Sequence, residues 1–279
     1  MAKPFLKWAG GKRKLLPELV ARMPKEFHVY HEPFLGGGAL FFEIADTLKN
    51  PAWLSDINKS LMSAYWGVRD EVDRVMSLLL YHKQSHSKEY YYYIRDEIDP
   101  EILPWPDRAA RVIYLNKTCF NGLYRENKSG KFNVPMGQYK NPAICDKDAL
   151  RSASLALQNA RLRCHDFQYA FRYVGREDFV YLDPPYRPIS ETSSFTSYDS
   201  SGFSDIDQLA LRAEFEVLSK RGAYVMLSNS NSEWMRDLYK DFYVDTVYTG
   251  RAINRDGAKR GKVSELIIRN YGGNVNDSI

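Results

Sequence analysis

The sequence predicts an α/β fold built on a mostly parallel sheet and split by an inserted helical and β-hairpin segment. Three observations predict it. A strand, a glycine-rich loop, a helix and a second strand follow one another between Phe27 and Asp56. Helical spacing takes over from about Leu61, and alternation of strands with helices resumes after residue 160.

Phe27–His31 has the apolar and aromatic content of a strand, Glu32–Gly38 ("EPFLGGG") reads as a tight loop, and Ala39–Leu48 as an amphipathic helix. Ala52–Ser55 is a short strand, and the β-α-β order implies a parallel pair with a right-handed crossover, which puts Asp56 at a strand's carboxyl end. Leu61, Tyr65, Val68, Val72, Val75 and Leu79, then Tyr90, Ile94 and Ile98, keep helical spacing until Pro100–Pro106 breaks it. A helix restarts over Pro106–Leu115, with proline in its first turn, where a missing N–H costs nothing.

Asn121–Pro135 reads as two extended pieces around a turn at Asn127–Gly130, a hairpin rich in basic, amide and aromatic side chains. A helix over Asp148–Asn159 leads to a strand at Arg161–His165. Strands follow at Phe179–Leu182, Tyr224–Leu227, Tyr243–Tyr248 and Glu265–Ile268, with helices at Ile206–Ser219 and Ser232–Tyr239. The expected division is 1–57 and 146–271 as one split domain, 58–145 as the insert, and 272–279 as a tail. Ile189–Phe203, polar and rich in serine, reads as a flap or a plain loop.

At 279 residues, 44% apolar and 27% charged, the chain is long enough to bury a real core and is not a disordered protein. No apolar run approaches the roughly 20 residues of a bilayer span, and the N-terminus lacks a secretory pattern, so a cytoplasmic protein without membrane contact is expected. Cys119, Cys145 and Cys164 are widely spaced and read as reduced structural thiols. The five histidines have no ligand spacing, and no metal is expected. A formal charge of +4 says little by itself. Its basic residues gather at Lys3–Lys14, around Lys117–Lys131 and at Arg251–Lys262, each a solvated face or an anion-binding patch.

The glycine loop and Asp56 carry the first chemical signal. Ligands of open α/β sheets bind beyond the strands' carboxyl ends, where glycine lets backbone approach a nucleotide. Leu40 and Phe41 replace the small residue that a pyrophosphate site needs, so a nucleoside without phosphates fits better. Asp56, 18 residues beyond Gly38, is spaced to accept hydrogen bonds from ribose hydroxyls. S-adenosylmethionine meets these demands, and its two positive charges favour acidic neighbours.

The second signal is Val180–Tyr186, "VYLDPPY". The exocyclic amine of adenine is a poor nucleophile because its lone pair is delocalised into the ring. Asp183 and the carbonyl of Pro184, both pure acceptors, would take its N–H bonds and turn the lone pair toward a methyl group. The two prolines fix φ and add no competing donor. Tyr186 would stack on a base taken out of the duplex, a contact worth about 1 to 3 kcal/mol. A strand-ending turn is the plain alternative for the four residues alone.

Phe5–Lys12 ("FLKWAGGK"), Glu32–Gly38, Leu54–Asn58 ("LSDIN"), Asn121–Arg125 ("NGLYR"), Phe132–Pro135 ("FNVP") and Asp183–Tyr186 ("DPPY") stand in one order. Together they resemble the DNA adenine-N6 methyltransferases of the Dam type, over nearly the whole chain. The resemblance implies a Rossmann-like S-adenosylmethionine-dependent methyltransferase sheet with an inserted DNA-recognition domain. It implies that Trp8, Lys12, Phe34, Gly36, Gly38, Asp56, Asp166, Phe167 and Asp183 hold the cofactor or shape its pocket, with Asp183, Pro184 and Tyr186 catalytic.

For DNA, the resemblance implies Lys7, Phe120, Asn121, Leu123, Arg125 and Pro135. Arginine reads guanine with two hydrogen bonds, and leucine or proline touches a thymine methyl. Phe120 would fill the gap left by the flipped base or be a core residue, and Tyr124 departs from the pattern of such enzymes. The expected activity is site-specific methylation of adenine N6 in duplex DNA, with GATC as the site, S-adenosylhomocysteine as product and a monomer in solution. Methylation of cytosine N4, or of adenine in another site, is the alternative chemistry, and a catalytically silent DNA-binding module the alternative class. Repair and replication marking, restriction-modification and phage defence all fit that activity.

Overall fold

The computed structural model describes residues 2–8, 10–127, 129–187, 203–249 and 263–272. In chain order these hold α1 (Leu16–Ala21), β1 (Tyr30–Glu32), α2 (Ala39–Ile44), β2 (Ala52–Asp56), α3 (Lys59–Asp70), α4 (Val72–Gln84) and α5 (Lys88–Tyr92). Then come α6 (Trp105–Thr118), α7 (Lys147–Leu157), β3 (Ala160–Cys164), α8 (Phe167–Ala170), β4 (Phe179–Leu182), α9 (Asp205–Arg221), β5 (Tyr224–Ser230), α10 (Glu233–Leu238), β6 (Tyr243–Thr249) and β7 (Val263–Arg269). The expected class holds: an α/β fold with a mostly parallel seven-stranded sheet. The chain forms two compact units, Met1–Gly11 with Leu35–His165, and Lys12–Phe34 with Asp166–Ile279.

In the first unit β2 and β3 run parallel and in register, Ala52 opposite Ala160 through Asp56 opposite Cys164. Helix α3 starts where the Asn58 side chain accepts the N–H of Leu61 at 2.8 Å, filling one of the donors a helix start leaves open. Its Leu61, Tyr65 and Val68 are fully buried, as are Ala109 and Ala110 of α6. This apolar stripe at helical spacing is what the sequence showed. After α6 the chain makes a single helical turn at Phe120–Gly122 and returns through two antiparallel bridges, Cys119 with Met136 and Glu126 with Phe132. The expected hairpin is therefore a pair of isolated bridges without strands. Asn121 sits in the left-handed region (φ 54°) and interrupts the alternation a strand needs.

In the second unit β1, β4 and β5 are parallel neighbours, Tyr30 opposite Phe179 and Phe179 opposite Tyr224. Strand β7 then lies antiparallel between β5 and β6. Every residue of β4 is buried, which suits a short apolar run covered on both faces. Leu211, Phe215 and Leu218 of α9 join Val180, Leu182, Val225, Leu227 and Ile268 in one apolar cluster. A capping box at Ser204 and Asp207 opens α9, and Gly222 closes it. Strand β1 is shorter than the sequence suggested: His28 donates to the carbonyl of Glu177 and Val29 to the Asp178 carboxylate.

Candidate active site

The first unit builds a cradle around the glycine loop. Gly36 has φ +47°, and its N–H donates to Asp56 Oδ2 at 3.0 Å. Its carbonyl accepts from the Tyr65 hydroxyl at 3.0 Å, and a Cβ there would meet Trp8 Cδ1 at 2.9 Å. Glycine is required on two counts, the left-handed backbone and the indole. Gly38, also left-handed at φ 64°, caps α2. The other Asp56 oxygen, Oδ1, accepts the N–H of Asn58 at 2.9 Å. Burial pushes the Asp56 carboxyl above its ordinary value, and these backbone N–H groups pull it back. A carboxylate has about four acceptor positions. Gly36, Asn58 and Ile57 N–H groups all act on it, so Asp56 keeps capacity for about one further donor, such as a ribose hydroxyl.

The second unit gathers Lys12, Asp183, Tyr186 and Glu265. Asp183 leaves the end of β4, and Lys12 Nζ pairs with its Oδ1 at 2.8 Å. The same ammonium lies 4.5 Å from the centroid of the Tyr186 ring, whose hydroxyl donates to Glu265 Oε2 on β7 at 2.7 Å. Burial raises the Asp183 carboxyl above the usual range; Lys12 lowers it and the Glu265 charge raises it further. Burial, with the Asp183 charge next, holds the Tyr186 phenol well above its usual value, so it stays a donor at neutral pH.

The prolines do not hold this loop alone. Gln208 of α9 donates to the Pro185 carbonyl at 3.0 Å, and Asn229 of β5 donates to Gln208 at 3.2 Å and accepts from the Arg187 N–H at 3.3 Å. Pro184 is buried. Phe34 stacks on Phe167 (centroids 5.2 Å, planes 28° apart), and Phe203 meets Phe34 edge-on. Phe167 also packs in the apolar cluster, while exposed Asp166 accepts the N–H of Gln168 at 2.8 Å.

Six side chains expected at DNA lie in the first unit. Phe120, Leu123, Asn121, Pro135 and Lys7 are exposed, Phe120 by half, so Phe120 is not a core residue. Half-buried Arg125 is steadied by Asn133, its Nε donating to Oδ1 at 2.7 Å. Lys7 Nζ lies 4.6 Å from the Tyr139 ring centroid. Tyr124 stacks on Trp8 with centroids 5.0 Å apart and bonds Glu126, so the cradle and the arm carrying Arg125 touch through two aromatic rings. Lys128, the segment 189–202 and the basic loop 251–262 lie outside the described residues. Glu265, Tyr65, Gln208 and Asn229 escaped the sequence reading. Their one visible signal is polarity inside apolar runs, as in Tyr224–Ser230 ("YVMLSNS").

Among the described residues no three His, Cys, Asp or Glu side chains form a metal-ligating group, and no helix is long and apolar enough to cross a membrane. The family model of the D12 class N6 adenine-specific DNA methyltransferases matches residues 8–253. Type II methyltransferase M1.LlaDCHI of Lactococcus lactis subsp. cremoris is 44% identical over 97% of this chain and 96% of its own. Type II methyltransferase M.MjaIII of Methanocaldococcus jannaschii is also 44% identical, over 96% of this chain and 99% of its own. The DNA adenine methylase of Escherichia coli K12 is 34% identical over 95% of this chain and 94% of its own.

Proposed function

The chain belongs to the D12 class of N6 adenine-specific DNA methyltransferases, and we propose that it methylates adenine in GATC, taking the methyl group from S-adenosylmethionine after flipping the base from duplex DNA. The observation that carries this reading is the Asp183 carboxylate at the carboxyl end of buried β4, with an aromatic ring beside it. When bound, S-adenosylmethionine supplies an electrophilic methyl group. The residues present fit it: Asp56 has acceptor capacity left for a ribose hydroxyl, and a carboxylate suits a cationic ligand. In this reading Trp8, Gly36 and Gly38 are cofactor residues of the first unit, and Lys12, Phe34, Asp166 and Phe167 are cofactor residues of the second.

Asp183 and the Pro184 carbonyl accept the two N–H bonds of the adenine amine and direct its lone pair. The new C–N bond would form as the sulfur–methyl bond breaks to leave S-adenosylhomocysteine, and the amine's surplus proton would be lost to solvent. Asp183 acts in this reading as the carboxylate, and Lys12 favours that form against the effect of burial. Lys12 also occupies one side of Oδ1, so the amine approaches the remaining lone pairs. Tyr186 offers its ring to the flipped base. Residues 58–145 carry target recognition in this reading, with Lys7 and Arg125 on guanines, Leu123 and Pro135 on thymine methyls, Asn121 at the opened pair and Phe120 in the gap. Residues 1–57 and 146–271 carry the chemistry, 272–279 is a tail, and the enzyme works as a cytoplasmic monomer.

The Type II methyltransferase relatives and the DNA adenine methylase relative suit the same chemistry, and restriction-modification, repair or replication marking and phage defence all fit it. Incubation with labelled cofactor and duplexes that differ at one base of GATC tests the chemistry. Label in N6-methyladenine only for GATC is expected. Label in cytosine, or none with Asp183 intact, would sink the reading.

A further inference from the structure

Asn116 sits near the end of α6 in a run of buried residues, 1% exposed, and its side-chain bonds serve two other segments. Its Oδ1 accepts the backbone N–H of Lys7 at 2.8 Å, and its Nδ2 donates to the Lys7 carbonyl at 2.6 Å and to the Gly122 carbonyl at 3.1 Å. Only one orientation of the amide satisfies all three partners, because an N–H must meet oxygen and two carbonyls must meet nitrogen. The side chain thus grips Lys7 by both backbone groups, as a neighbouring strand would, and ties it to the turn at Phe120–Gly122.

That turn cannot yield easily. Asn121 and Gly122 are both left-handed (φ 54° and 64°), and a Cβ on Gly122 would stand 2.6 Å from Lys7 Cδ and 2.7 Å from Lys7 Cβ. A strained non-glycine backbone held by buried polar contacts is the mark of a position kept for function rather than for packing. The ends of the assembly are free to read: Lys7, Asn121 and Leu123 are exposed.

We propose that Asn116 is a positioning residue for sequence discrimination, holding Lys7 and the Asn121–Leu123 turn in one register so that Lys7 reads its base. It rests on the assignment of Lys7 to the DNA interface and touches neither the DNA nor the cofactor itself. It acts on the choice of site and leaves the methyl-transfer step alone. Removing the amide leaves three backbone groups buried without their partner, so the Lys7 backbone drifts away from the turn while Arg125, steadied by Asn133, stays.

The test compares wild type, Asn116→Ala, Lys7→Ala, the double variant and Gly122→Ala on GATC duplexes and on every duplex with one base changed. The readout is the ratio of kcat/KM between GATC and each changed site. Lys7→Ala is expected to lower that ratio about tenfold or more at one guanine. Asn116→Ala should produce the same loss at the same position, and the double variant no further loss there. Gly122→Ala, which keeps the amide but crowds Lys7, should repeat the pattern, so the idea does not depend on one variant folding. Cofactor affinity should stay at the wild-type value. Full discrimination in Asn116→Ala, an even loss at all four positions, or losses that add to those of Lys7→Ala would each overturn the proposal. Should Lys7→Ala itself be silent, the assignment of Lys7 falls first and the proposal with it.

Discussion

Asp56 and Asp183 each stand at the carboxyl end of a parallel strand, and burial pushes both carboxyls above their ordinary range. They are held in opposite ways. Asp56 is fixed by the backbone N–H groups of Gly36 and Asn58, which cannot leave without unmaking the loop. Asp183 is met by an ammonium on a four-carbon stem, which can. Backbone donors make Asp56 part of a cradle with one shape, whereas a side-chain partner leaves Asp183 able to exchange its hydrogen bonds, as the proposed reaction requires. Fixed polarity suits a cofactor that always binds alike, and exchangeable polarity suits an amine that must be received and released.

The strongest way to break this contrast is to remove each carboxylate in turn. Asp183→Ala should cost about 10³-fold or more in single-turnover methylation, while gel-shift affinity for DNA stays near wild type. Asp56→Ala should raise the KM for S-adenosylmethionine more than it lowers kcat. A larger fall in kcat for Asp56→Ala than for Asp183→Ala would show the two roles reversed.

Lys12→Met comes next. Losing one partner of a buried pair should destabilise the fold by about 3 kcal/mol, the low end because the Asp183 side chain is still 20% exposed, and calorimetry would measure it. The charged and titratable groups that act on Asp183 or adjoin it are Lys12, Glu265, Tyr181, Tyr186, Tyr30 and, through Tyr30, Glu32. Lys12 alone is cationic and lowers the carboxyl, so without it the acid limb of kcat moves to higher pH. A folded-state value above the unfolded one gives stability below the unfolded pKa and loses it as pH rises through the folded one. By that sign the raised Asp183 carboxyl favours the fold most at low pH, and its contribution to the unfolding temperature should fall as pH rises.

Gly36→Ala should cost on the order of 1 to 3 kcal/mol, from a left-handed alanine pressed on Trp8 at 2.9 Å. It should appear as weaker cofactor binding in titration calorimetry with an acid limb where wild type has it. Glu265→Gln is the smallest change. Glutamine still accepts from Tyr186, and losing the negative charge removes one influence that raises Asp183, so activity should stay within about threefold while the acid limb moves to lower pH. A shift toward higher pH would contradict the sign of that influence.

Local relations were legible and distant ones were not. The strand, loop and helix around Gly36 could be read because their periodicities change within a few residues, and Asp56 followed from its distance to Gly38. The class and the place of Asp183 after β4 were open to that kind of reading, whereas the short helices α1 and α8 were not. Glu265 is 79 residues from Tyr186, and Asn116 is 109 from Lys7. A glutamate opening an apolar strand, or an amide ending an apolar helix, looks like an ordinary surface residue until the fold shows what it faces. The segment after α6 misled for another reason: a left-handed Asn121 carries no pattern that distinguishes it from a strand residue.

The order of the last strands bears on how this chain is made. Strand β6 finds its partner in β7, which is synthesised after it and slots between β5 and β6. Until β7 leaves the ribosome, β5 and β6 each present an open edge to any other nascent chain. A chain cut short between residues 250 and 262 would thus keep two strands without their partner and be prone to aggregate.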